Sequence, residues 1–391
     1  MKAIFVVQGE GRGHLTQALS LKKILEDNGH EVVDVMVGKS KNREIPTFFK
    51  EKIGMELTTF RSPNFIPSKD NRQFNLLTSA AYNTLHTPSY LKSIFLIRKH
   101  IKQSGADIVI NFYEILCGLA CSLLPRHIPE VCIAHQYMFL HPEFHMPEKQ
   151  KGAEAMLRLF TKATALGTTA KLALSIRQIP DCREEHIKVV PPLLREDVKR
   201  EIRRHGDYIM GYILNPGFYD DVMKWHKENP STKLHFFWDK KGAPEELHVD
   251  NTLTFHAIND ERFLHYMAGC KAFATTAGFE SVCEALYMGK PAMMIPVHVE
   301  QMCNATDAEK EMAGIKSDSF DMSRLQDFAH EYEEDIEFRM WENTAETRIM
   351  AAIRTVYDNY YITKENVAYE KDDSTVAVDP GSVLAGYAWH G

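Results

Sequence analysis

The sequence predicts an α/β protein built as two Rossmann-like domains that face each other across a cleft. Three observations carry that reading. Short apolar runs alternate with amphipathic stretches, the pattern of parallel strands separated by helices. The alternation runs twice, and Pro191-Pro192 with a charged, arginine-rich stretch separates the two series. The 391 residues exceed one ordinary core and suit two.

In the first series, Ala3 to Val7 is a strand and Leu15 to Asn28 an amphipathic helix closed by Gly29 as its C-cap. Val32 to Val37, Ile108 to Asn111 and Val131 to Ala134 read as further buried strands, and Ile187 to Val190 is the last apolar run before the prolines. The second series opens with a strand at Tyr208 to Leu214, broken by Asn215-Pro216-Gly217, and a helix running to about Asn229. Strands follow at Leu234 to Trp238, Leu253 to Phe255, Ala272 to Thr275 and Ala292 to Pro296. Helices fit between them at Asp260 to Ala268, Phe279 to Met288 and Gln301 to Ala313. Ser323 to Tyr361 places Phe328, Trp341, Ile349, Ile353 and Tyr357 at helical intervals, as one or two outer helices that cross back to the first domain. The expected division is 1–195, 196–360 and a polar tail of 361–391.

Composition narrows the function. Hydrophobic content of 44% and charged content of 25% are globular values, and a net charge of -7 argues against a dedicated nucleic-acid binder. Seven cysteines without a CxxC pair read as reduced core residues rather than disulfides or zinc ligands. The N-terminal apolar run stops at Gly9, too short for a secretory signal, and Ile115 to Pro125 cannot span a bilayer. A cytoplasmic protein is expected. Phe65 to Gln103 mixes aromatics and leucines with Lys92, Arg98, Lys99 and Lys102. It is either a core helix with a solvated face or a peripheral contact with anionic lipid at the inner membrane face.

The chemistry concentrates between Thr276 and Ala305. Thr275-Thr276-Ala277-Gly278 follows a strand and opens a helix, so small residues stand where a phosphate would approach backbone N–H groups at the positive helix end. Gly278 permits the approach, and Thr276 and Ser281 offer hydroxyls. Glu284 lies four residues after Glu280 on one helix face, where a carboxylate can accept ribose hydroxyls. Glu300-Gln301 follows a strand end and suits sugar hydroxyls. Each feature alone is equally a cap, a turn glycine or a solvated acid; their order supplies the argument.

In the N-terminal half, Gly9-Glu10-Gly11-Arg12-Gly13-His14 links the first strand to the first helix. It departs from GxGxxG at His14, and Asp34 falls inside the second strand, which weakens a dehydrogenase reading. Gly11 and Gly13 leave room for an acceptor phosphate that Arg12 neutralises. Glu114 and the pair His135-Gln136 end buried strands on the same side, as acceptor-site candidates.

The pattern Thr276-x-Gly278-x-x-Ser281-x-x-Glu284, then Gly289-x-Pro291, then Glu300-Gln301-x-x-Asn304-Ala305, resembles the donor site of inverting GT-B glycosyltransferases of the UDP-glycosyltransferase and undecaprenyl-linked N-acetylglucosaminyl transferase type. The match spans about thirty residues without a gap. It implies a nucleotide-sugar donor, UDP-linked in preference to others, with Gly278 and Ser281 on the diphosphate, Glu284 on the ribose and Glu300 with Gln301 on the sugar. Phe255-His256-Ala257-Ile258 is similar to the loop that pairs with the base, with Ile258 packed beside it. The Gly-His pair of the first loop implies His14 as general base, assisted by Glu114, and NFYE with AHQ is similar to a bacterial and archaeal subgroup whose acceptors are envelope or lipid-linked. No cofactor and no obligatory metal are implied, since the chain has no DxD cluster. Thr276 and Glu280 depart from plant-type members, which carry His and Asn there, and Glu280 repels phosphate unless it points away. The Glu280–Glu284 spacing is closer than the glutamate pair of retaining families and favours inversion. Two rivals stay open: a UDP-sugar 2-epimerase, and a catalytically inactive nucleotide-sugar binder.

Overall fold

The computed structural model describes residues 1–41, 43–63, 82–123, 128–147, 151–213, 216–240, 242–276 and 278–373, with side chains to 362. The membrane-contact stretch therefore lies partly outside the described residues, as do Ala277, Asn215 and most of the tail.

Two seven-stranded sheets form. The first joins β1 (Lys2–Gln8), β2 (Glu31–Lys39), β3 (Leu57–Arg61), β4 (Ile108–Phe112), β5 (Glu130–Ala134), β6 (Ala170–Leu174) and β7 (Ile187–Val190) in the order β3-β2-β1-β4-β5-β6-β7, every pair parallel. The second joins β8 (Ile209–Ile213), β9 (Leu234–Trp238), β10 (Glu246–His248), β11 (Leu253–Ala257), β12 (Ala272–Thr275), β13 (Ala292–Met294) and β14 (Ile315–Lys316) in the order β10-β11-β9-β8-β12-β13-β14. Only the β10–β11 pair is antiparallel in this sheet.

The apolar runs form strands because helices cover both faces of each sheet, so side chains pointing either way reach a core. Ala3 through Val7 are all buried, and β1 lies inside its sheet between β2 and β4, with Val6 opposite Asn111. The first helix, Gly13–Asp27, stops where Gly29 adopts φ +75 and donates its N–H to Glu26 O. Four strands are absent from the sequence reading: β3, β6, β10 and β14. Two other expectations need correction. The Phe255–Ile258 stretch is not a loop, because β11 continues to Ala257 and leaves only Ile258 beyond it. Residue 361 does not begin a tail, because the last helix runs Ala345–Asp373.

That helix returns to the first sheet. Ile349 and Ile353 are fully buried, Asn28 Nδ2 donates to Glu346 Oε1 at 2.9 Å, and Tyr361 Oη donates to Asp107 O at 3.0 Å. Ahead of it, Trp341 Nε1 donates to Ser175 O at 2.9 Å. The segments Met322–Glu331 and Ile336–Glu342 are separate helices, each started by an aspartate cap, Asp321 and Asp335.

Candidate active site

Strand order reverses between β1 and β4 in the first sheet and between β8 and β12 in the second. Crevices at such points, at the carboxyl ends of the strands, are where open α/β sheets hold ligands. The loops at these points carry the residues singled out by sequence: Gly9 to His14 after β1, Glu114 after β4, and Thr276 to Ser281 after β12.

His14 lies in the first turn of its helix, only 8% exposed, and stacks on Tyr113 with ring centroids 5.5 Å apart. Tyr113 adopts φ +59, a conformation costly for a bulky residue, and its hydroxyl shares a hydrogen bond with Thr161 Oγ1 at 2.8 Å. Strained backbone of this kind persists where the surroundings hold it, and here it places a ring beneath the histidine. Burial pushes the His14 pKa down to about 4, against a weaker opposing hydrogen bond from Gln17, so the imidazole is neutral at pH 7.

Two amide–carboxylate pairs flank this imidazole. His14 Nδ1 is 3.2 Å from Gln17 Oε1, and Gln17 Nε2 donates to Glu280 Oε1. His14 Nε2 is 3.4 Å from Gln136 Nε2, which donates to Glu300 Oε1 at 2.8 Å. Both carboxylates come from the second half of the chain and all three other groups from the first. Sequence reading named Glu280 only as a departure and missed Gln17, although its place one helical turn after His14 was a usable signal.

In the second half, the helix Phe279–Tyr287 begins at Gly278 with no side-chain cap. Ser281 Oγ donates to Gly278 O at 3.0 Å and lies 3.2 Å from Thr275 Oγ1, while Thr276 is buried beside them. Glu280 turns toward the first half, its carboxylate against Gly13, where an added Cβ would collide with it. Burial, reinforced by Glu284 and Glu300, pushes its pKa up to about 7. Glu284 is buried and paired: Arg195 Nε and Nη2 both reach its Oε1, at 3.0 and 2.7 Å, leaving Oε2 outside that contact. Arg195, which also stands 3.2 Å from Asp260, was not singled out by sequence.

Two other candidates, Glu114 and His135, are taken up by structural contacts. Glu114 does not orient His14. Its buried carboxylate caps the next helix, accepting from Leu116 N at 3.1 Å and Ser62 Oγ at 2.7 Å, and burial pushes its pKa up to about 7. His135 is closed off as well: its ring stacks on Phe279 at 3.7 Å and its Nδ1 meets Leu174 O at 2.7 Å, so it packs the junction between the halves. Gln301 Oε1 accepts from Val297 N at 2.9 Å, a back-reaching bond at its own helix start. Ile258 is half-buried against the core. Arg12 lies over Phe48 at 5.5 Å and 4.0 Å from Asp260, and Gly11 has open space at its Cβ position.

Beside this junction is a cavity of about 280 Å³, with Phe144, His145, Arg177 and Asp307 in its wall. His145 Nδ1 is 3.3 Å from Asp307 Oδ1, and Arg177 Nη1 reaches Asp335 Oδ2 at 2.6 Å, so ion pairs between the halves line it.

Residues 1–332 match the family model described as glycosyl transferase family 1. A comparison with curated proteins returned no match. Among solved structures, the chain is similar to the glycotransferase of kitacinnamycin, at TM-score 0.58 and 15% identity over 91% of this chain and 97% of that one. It is similar to SnogD from Streptomyces nogalater, at TM-score 0.54 and 15% identity over 90% and 99%. It is also similar to Arabidopsis thaliana UGT89C1 complexed with UDP-L-rhamnose, at TM-score 0.56 and 12% identity over 92% and 97%.

Proposed function

The chain belongs to glycosyl transferase family 1, with the GT-B fold, and is a glycosyltransferase; from that premise we propose that it moves a sugar from a nucleotide-sugar donor, UDP-linked in preference to others, to an acceptor hydroxyl with inversion. The observation that carries this reading is His14. It is a neutral imidazole at the switch point of the first sheet, linked through the Gln17 and Gln136 amides to Glu280 and Glu300 of the second half.

The step balances simply. The acceptor hydroxyl gives its proton to His14 Nε2 as its oxygen bonds to the anomeric carbon, and the bond from that carbon to the β-phosphate oxygen breaks, its electron pair leaving with the diphosphate. The uncapped start of the Phe279–Tyr287 helix, with Gly278, Thr276 and Ser281, suits that leaving group without an obligatory metal. Glu284 Oε2, held in orientation by Arg195, suits a ribose hydroxyl, with Ile258 near the base. Glu300 and Gln301 serve the sugar. Gly11, Gly13 and Arg12 border the acceptor's approach.

The acceptor reading extends to a lipid-linked molecule met at a membrane surface, with the protein cytoplasmic. Among the described residues, no helix is long and apolar enough to cross a membrane. The neighbouring helices Thr87–Gln103 and Lys151–Thr164, on either side of Ile115–Ser122, expose Leu91, Phe95, Met156 and Leu159, with Lys92 and Lys99 exposed beside them. Apolar side chains ringed by lysines suit an anionic lipid surface.

Calorimetric titration of UDP, GDP and dTDP with and without EDTA tests the donor site. Micromolar UDP binding that EDTA leaves unchanged is the expected result; no binding by any nucleotide would remove the donor reading.

A further inference from the structure

Hydrogen-bond valence around His14 assigns a tautomer. Above its raised pKa of about 7 Glu280 is an ionised carboxylate, which only accepts, so at pH 8 the amide that faces it must present its NH2 group, and Gln17 must then turn its carbonyl oxygen toward the imidazole. A carbonyl oxygen also only accepts. His14 therefore carries its proton on Nδ1 and donates it to Gln17 Oε1 across 3.2 Å. A neutral imidazole has one ring proton, so Nε2 holds the lone pair.

The other side of the ring gives the same answer independently. Gln136 presents Nε2 to Glu300, and the same nitrogen faces His14 Nε2 at 3.4 Å, a donor set against an acceptor. Turning Gln17 over would set its oxygen against the Glu280 carboxylate oxygen, acceptor against acceptor, in a site where Gln17 is 1% exposed.

We propose that Glu280 is a positioning residue for His14: acting through the Gln17 amide, it fixes the Nδ1–H tautomer and so leaves the basic lone pair on Nε2, the nitrogen beside Gln136. The proposal rests on the reading of His14 as the base, and it adds where that base is set. Gln17 belongs to the first half and Glu280 to the second, separated by 263 positions. The imidazole is therefore held in its basic form only while the two halves are in contact. Glu280, an unfavourable residue beside a diphosphate, has a use that turns it away from the phosphate and toward the acceptor side.

Long-range 1H–15N correlation NMR on the full chain with 15N-labelled histidine reads the tautomer directly, without substrate. The His14 signals are identified by their loss in His14→Ala. The wild type is expected to show a protonated Nδ1 and an unprotonated Nε2. Glu280→Gln, a change at a half-buried position that leaves the core intact, is expected to give a mixture, because the new amide can face Gln17 with either end. Gln17→Leu removes the acceptor at Nδ1 and leaves only the longer 3.4 Å contact with Gln136 at Nε2, and is expected to give a mixture of the two tautomers. Exchanging the groups, Gln17→Glu with Glu280→Gln, returns an acceptor to Nδ1 and is expected to restore the wild-type signals. A wild-type proton on Nε2, or an unchanged tautomer in both Glu280→Gln and Gln17→Leu, overturns the proposal. The reading of His14 as the base fails separately, if His14→Ala keeps its turnover.

Discussion

Arg195 and Glu284 form a buried ion pair between the connecting segment and the helix that opens the donor site, with Nη2 2.7 Å from Oε1. The arginine uses two of its donors on a single carboxylate oxygen, so the second oxygen keeps its accepting capacity. The pair is thus both a strut and an oriented acceptor. Glu284→Gln is expected to weaken UDP binding by about 10-fold, the scale of one charge-assisted hydrogen bond. Arg195→Met is expected to cost about 3 kcal/mol in stability as well, because it strands a buried carboxylate. Calorimetry and denaturant unfolding separate the two effects.

With a diphosphate held at the proposed site, Glu280 is expected to make nucleotide affinity depend on pH. Its raised pKa of about 7 means that the carboxylate is charged above that pH and neutral below it. Its charge opposes a diphosphate at the adjacent helix start, so affinity for UDP is expected to rise as pH falls from 8 to 6, beyond the change seen in Glu280→Gln. At pH 8 the variant is expected to bind UDP about 3-fold to 10-fold more tightly than the wild type, the size of one screened like-charge contact. Titrations of both proteins at the two pH values check this.

Glu114 bears on stability. The unfolded carboxyl titrates near 4.5 and the folded one near 7, so between those values the folded state holds a proton that the unfolded state releases. Stability from this group is complete below 4.5 and is lost as pH rises through 7. Glu114→Gln does not titrate. Relative to wild type it is expected to gain up to about 3 kcal/mol between pH 4.5 and 7, the equivalent of the shift, with no further gain above. Urea unfolding across that range measures it.

Phe95 is 65% exposed between Leu91 and Lys99 on one helix. If this face meets a lipid surface, Phe95→Glu is expected to reduce binding to anionic vesicles at low salt by about 10-fold or more, since inserting one aromatic ring is worth about 2 kcal/mol. A wild-type protein that stays in the soluble fraction during flotation would end the membrane reading.

The strands were legible where apolar runs were unbroken, as at Leu234–Trp238 and Ala272–Thr275. They were hidden where polar residues interrupt them: β3 reads LTTFR, β6 carries Lys171, and β10 and β14 are short edge segments. The run Thr276 to Glu284 could be picked out because its residues are local to one strand–helix turn. Partnership was not legible. Glu284 meets Arg195 across 89 positions and Glu280 meets Gln17 across 263, distances at which spacing conveys nothing about contact. Glu114 shows the converse: a strand-end acid suggested a cleft group, yet a local cap two residues away claims it.

The final helix has a mechanical consequence. The polypeptide passes from the first sheet to the second after Pro191-Pro192, and it returns through Trp341 and the Ala345–Asp373 helix to be anchored at Ser175, Asn28 and Asp107. The two crossings lie side by side, with Lys199 Nζ 2.7 Å from Glu342 Oε1, so together they make one hinge at that edge. Rotation about such a hinge would open the mouth of the cleft while leaving the seam near the straps almost still. Substrates would then enter from the side opposite the two crossings.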